Sequence, residues 1–166
     1  MFPIRQFRCW WMLWLTATVG LSVTAQPGAD AAPIKERDPF LVATKWKGKL
    51  TQKGTFAGGV AGPPAFETVL TVTERDGFVF RAELSEEAPG IKVTYLVKGD
   101  ISPAADKTYT VTFKSIGAKD VSGTLPILGI PYTGTVSGQA IRGTWKMPKN
   151  DEGTDVEGDF SVERAE

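Results

Sequence analysis

From about residue 43 to residue 163 the chain alternates apolar and polar residues with a period of two, almost without interruption, and no segment carries a convincing 3.6-residue period. Side chains on a strand point alternately to opposite faces, so this pattern predicts half-buried β-strands. Eight are expected, over about 43–51, 67–74, 78–85, 91–101, 107–115, 130–137, 140–147 and 155–163. One face collects Trp46, Leu50, Leu70, Val72, Phe78, Phe80, Leu84, Val93, Tyr95, Val97, Tyr109, Val111, Phe113, Tyr132, Val136, Ile141, Trp145, Val156, Phe160 and Val162. The other face carries Lys, Arg, Glu, Asp and Thr, among them Lys45, Lys47, Lys49, Arg81, Glu83, Arg142, Glu157 and Asp159. Apolar inside and charged outside describes a water-facing sheet; an outer-membrane barrel shows the reverse.

Five strands repeat an apolar-x-Gly-x-apolar motif with glycine on the apolar face, at Gly48, Gly99, Gly134, Gly143 and Gly158. In 132–148 the dipeptide Gly138-Gln139 fits a two-residue hairpin turn with glycine first. That turn sets Gly134 opposite Gly143 and Tyr132 opposite Trp145. Inward glycines let strands bend where a sheet closes on itself. They serve either ring packing and closure, or the hollowing of a pocket. The expected fold is therefore all-β, an eight-stranded antiparallel up-and-down barrel. A two-sheet β-sandwich of the same strands is the alternative.

With strands in sequence order, connections 52–66, 86–90, 116–129 and 148–154 share one end, and the short connections 75–77, 102–106 and 138–139 share the other. Function-bearing loops are expected at the elaborate end. There, 54–65 (GTFAGGVAGPPA) reads as a lid or a plain connector. The apolar loop 123–132 offers Leu125, Ile127 and Leu128 as an interaction patch, or as a cap over the barrel. Asp151, Glu152 and Asp155 around Gly153 read as a solvated acidic turn or a weak Ca²⁺ loop, and lack the spacing of an EF-hand. Glu86, Glu87 and Asp120 are expected on a mildly acidic rim.

Residues 1–25 break the alternation. Arg5 and Arg8 precede an apolar stretch of about 15 residues, shorter than the roughly 20 of a membrane span, and Val23-Thr24-Ala25 follows with small residues. This is a secretory signal pattern, so a secreted or periplasmic protein with no stable membrane span after cleavage is expected. Residues 26–41 are rich in Pro, Ala and charge and read as a flexible tether before a single domain over 42–166. The leader holds Cys9, the chain's one cysteine, and three of its five tryptophans; the chain has no histidine. Without Arg5 and Arg8, 17 of the 19 basic residues remain against 19 acidic ones, a net charge of −2. That is no footprint for nucleic acid.

Without His or Cys, the mature chain is excluded from Ser-His-Asp and Cys-His catalysis and from zinc sites on imidazole or thiolate. No carboxylate pair is placed for glycoside hydrolysis. No catalytic residue, metal or cofactor is assigned, and the protein is not expected to be an enzyme. The aromatics with polar tips on the inward face, Trp46, Tyr95, Tyr109, Tyr132 and Trp145, are the candidate ligand-binding interior, or else a filled core whose tips bond to the backbone.

Eight alternating strands, a tight end, an open end and Trp46-Lys47-Gly48 in the first strand resemble the calycin-type barrels, the lipocalins and avidin-like proteins. Lipocalins spell that element Gly-x-Trp; here the order is reversed, and Gly143-Thr144-Trp145 carries the spelling in strand seven. The resemblance is architectural, covers most of 43–163, and implies a small apolar ligand inside the barrel. The two expected functions are a non-catalytic binder of such a molecule at the long-loop end, and an envelope module with a filled core that binds a protein partner.

Overall fold

The structure, a computed structural model, describes residues 38–148 and 153–165. The signal pattern, most of the tether and the acidic residues Asp151 and Glu152 lie outside the described residues.

Nine strands form one antiparallel sheet: β1 (Lys45–Thr51), β2 (Lys53–Thr55), β3 (Ala65–Asp76), β4 (Val79–Ala88), β5 (Ile91–Pro103), β6 (Tyr109–Ser122), β7 (Pro131–Ser137), β8 (Ala140–Lys146) and β9 (Asp155–Ala165). β2 continues β1 past Gln52, and both pair with β9, so the barrel has eight staves. Each stave pairs with its sequence neighbours, and β1 pairs with both β3 and β9. The sheet is a closed up-and-down barrel, not a sandwich.

Alternation in the sequence becomes alternation in burial. β7 reads exposed–buried throughout, with Tyr132, Gly134 and Val136 inside. The hairpin register is the expected one, Tyr132 opposite Trp145 and Gly134 opposite Gly143, with Gly138 at φ +58° in the turn. The paired glycines have a packing cause. A Cβ on Gly143 would stand 2.6 Å from Phe160 Cε1, and one on Gly134 2.9 Å from Phe160 Cζ. The Phe160 ring lies across both, and the Thr133 and Arg142 carbonyls crowd the same two positions, so here glycine serves ring packing and the close approach of the paired strands.

Two expectations, one of facing and one of strand length, are corrected. Phe78 sits in the β3–β4 turn, before the strand begins, and is 61% exposed. The connection 86–90 shrinks to Pro89-Gly90, because β4 runs on to Ala88. β7 and β8 span seven residues each, against 10 to 14 for β3, β4, β5, β6 and β9. The barrel wall is therefore lowest at the β7–β8 hairpin.

The end bearing the β3–β4, β5–β6 and β7–β8 turns is filled. Phe40, at the end of the segment expected as tether, is fully buried, its ring 4.6 Å from Phe80 and 5.9 Å from Trp46. Asp38 holds this entry in place: its Oδ1 accepts the Phe40 N–H at 2.8 Å and its Oδ2 accepts from Arg75 Nε at 3.1 Å. The Ala43 N–H donates to Val72 O, and the Val72 N–H to Thr44 O. Aromatic packing continues along the axis, through Phe80 to Phe113 at 6.1 Å and then to Tyr132, stacked on Phe113 at 4.6 Å and 8°.

Candidate functional site: a cavity at the open end

At the other end the column stops short of the rim. A cavity of about 300 Å³ opens there, with Leu50, Phe66, Val93, Ile130, Trp145 and Met147 in its wall. The two long connections roof it. In 52–64, Phe56, Val60 and Pro63 reach the cavity around a 3-10 turn at Ala57–Gly59, and the Phe56 N–H donates to Val60 O. In 123–130, Thr124, Leu125 and Ile127 do the same. Ser115, buried in β6, pins this second loop: its Oγ donates to Ile127 O at 3.4 Å and accepts the Ile130 N–H at 3.1 Å.

The wall is apolar except at a few places, and three of these titrate: Glu86, Tyr95 and Tyr132. Glu86 is 7% exposed. It faces inward because β4 keeps its parity through Phe80, Ala82, Leu84 and Glu86. Tyr132 donates its hydroxyl proton to Glu86 Oε1 at 3.1 Å. Burial pushes the Glu86 carboxyl up to about 7, against the smaller downward pull of that hydrogen bond. Tyr95 is pushed up to about 12, first by burial, then by the nearby Glu86, with the Ile127 backbone pulling the other way. Tyr132 is raised well above its ordinary value by burial, then by Glu86 and Tyr95. All three groups are thus held toward their protonated forms. Trp145 turns its polar tip away from the centre, donating Nε1–H to Thr51 O at 3.0 Å.

The five candidate interior aromatics divide. Tyr95, Tyr132 and Trp145 meet at the cavity. Trp46 is fully buried beside Phe40, remote from the cavity wall, with its Nε1 unpartnered among the described residues. Tyr109 is partly buried against the core at the start of β6, also at the filled end. The candidate patch divides too: Ile127 packs on the core and lines the cavity, Leu125 lines it while 85% exposed, and Leu128 is 49% exposed outside it. Glu86 corrects its assignment to an acidic rim. The residue is an interior group, and the parity of β4 was the signal that would have found it. Glu87, its neighbour, faces outward and meets Lys92 at 3.9 Å.

Among the described residues, no group of three or more Asp, Glu, His or Cys side chains is placed to hold a metal ion, and no helix is long and apolar enough to cross a membrane. No known protein family, curated protein or solved structure matches this chain.

Proposed function

We propose that this is an exported, non-catalytic barrel that binds one small, largely apolar molecule in the open-end cavity. The carrying observation is the cavity itself: about 300 Å³, roofed by both long loops, with a wall that is apolar apart from a few polar groups. Ligand sites run from roughly 300 to 1,000 Å³ and share this plan of apolar lining with few polar contacts. The volume favours a molecule at the small end of that range. Geometry supports binding here, because Tyr95, Tyr132 and Trp145 line the cavity at this end while the other end is packed. The lining also favours binding over turnover. Glu86 is its one carboxylate among the described residues, so the paired acids of glycoside hydrolysis are not assembled.

A second reading is a protein-interaction module in the envelope. Leu125 and Leu128 favour it, exposed on one loop at the same end.

Native mass spectrometry of protein purified from its source separates the two. Excess mass that is lost on denaturation is expected, and its identity names the ligand. A native mass equal to the chain mass, with no uptake of added apolar compounds, counts against the cavity and for the loop.

A further inference from the structure

Glu86 is out of keeping with its surroundings. An ionised carboxylate buried without a partner is costly, and interior positions of a barrel are filled by apolar side chains at far less cost. Its one hydrogen bond from a described residue comes from Tyr132, to Oε1; no described residue donates to Oε2. None of the ion pairs among the described residues includes it. They join Lys49 to Glu67, Lys53 to Glu157, Lys146 to Asp155 and Glu157, Arg81 to Glu74, Lys92 to Glu87 and Lys119 to Glu83, all on the outer face, and Arg75 to Asp38 at the filled end. The other titratable groups facing Glu86 are Tyr95 from β5 and Tyr132 from β7, and neither carries positive charge. The neighbouring strand β3 sets Thr68 opposite Glu86. The cavity thus holds one acid, an open acceptor oxygen, an apolar wall and no cation from any described residue.

We propose that the ligand is a small amine, whose protonated nitrogen pairs with the Glu86 carboxylate while its apolar body lies against Leu50, Phe66, Trp145 and Met147. This rests on the cavity being a ligand site and says which class of molecule it takes. A cation supplies what Glu86 lacks: a counter-charge and a donor for Oε2. Charge-assisted hydrogen bonds are stronger than neutral ones, and the Trp145 ring adds a surface that attracts cations. A ligand carboxylate would set two acids together in a place that disfavours even one charge. An alcohol would satisfy the open oxygen and leave the charge uncompensated. Glu86 titrates at about 7 without ligand, so the paired, ionised form is within reach at neutral pH.

The test measures binding of octylamine, 1-octanol and octanoate to the purified protein by calorimetry at pH 8.5. Octylamine is expected to bind at least about tenfold tighter than octanol, the scale set by a hydrogen bond to a charged group, and octanoate least well. Lowering the pH to 5.5 should weaken octylamine more than tenfold as Glu86 takes up a proton, and leave octanol unchanged. Glu86→Gln should abolish both the preference and the pH dependence while still binding octanol. Tyr132→Phe, which removes the internal donor and keeps the ring, should retain the amine preference. Octanol or octanoate binding as tightly as octylamine, or a preference that survives Glu86→Gln, overturns the amine proposal and leaves the cavity as a binding site. Failure of all three probes to bind overturns the cavity reading and the amine with it.

Discussion

At the filled end Phe40, Trp46 and Phe80 close ring on ring, each within 1% of complete burial. At the open end Phe66, Tyr95 and Trp145 are also buried, at 9%, 5% and 5% exposed, yet they stand around a space. The two ends draw on the same residue types. The difference lies in what closes them. A short ordered segment, 38–41, drops one phenylalanine into the filled end and is tied down by the Asp38–Arg75 pair. The open end is closed by two loops that reach over the mouth from its rim. A plug that enters the barrel makes core; a roof that spans it leaves a cavity and admits a polar group such as Glu86.

The comparison predicts where damage is felt. The largest effect is expected for Phe40→Ala. Removing a fully buried ring leaves a cavity in the filled end and should cost about 3–5 kcal/mol of unfolding free energy, read by denaturant titration. An effect near zero would mean that 38–41 is not part of the folded core.

Glu86→Gln should act in the opposite sense, and only above about pH 4.5. In the folded protein the carboxyl titrates at about 7, raised from 4.5. The native state therefore holds a proton that the unfolded chain has released throughout that interval, so wild-type stability falls as pH rises from 4.5 to 7. The loss totals roughly 3 kcal/mol and levels off above 7. Glutamine mimics the protonated acid and has no such slope. The variant should match the wild type near pH 4.5 and exceed it by roughly 3 kcal/mol at pH 8. Parallel stability curves would show that Glu86 is solvated.

The smallest stability effect is expected for Leu125→Ser, within about 0.5 kcal/mol, as for other exposed positions. Ligand affinity should nevertheless weaken, because Leu125 roofs the cavity. A large stability loss would move this loop from roof to core and erase the contrast between the ends.

Much of the barrel was legible in the chain, because each strand has one wet face and one dry face and so shows a period of two. The hairpin register followed from a turn with glycine first. Legibility failed where the cause was not periodic. Phe40 lies in a Pro- and charge-rich stretch without pattern, and its burial depends on contacts with Trp46 and Phe80, distant in sequence. Phe78 continued the parity of its strand but falls in the turn ahead of it. Glu86 was misplaced because two adjacent glutamates look like a loop; the parity of β4 carried one of them inward all the same. Tyr109 and Trp46 show the limit of face without height. Both point inward, but only position along the axis separates plug from pocket, and both fall at the starts of their strands, at the filled end.

Closure of the barrel has a consequence for how the chain reaches this state. The β1–β9 seam joins Lys45 to Ala165 and Leu50 to Phe160, residues more than a hundred apart in sequence. Pairings of such long range form slowly, since the entropy lost in closing the long intervening loop precedes the gain from the contact. Until β9 is in place, β1 and β8 present unpaired edges, open to pairing with other chains. A chain shortened before residue 155 would therefore keep both edges open, a sticky sheet in place of a closed barrel.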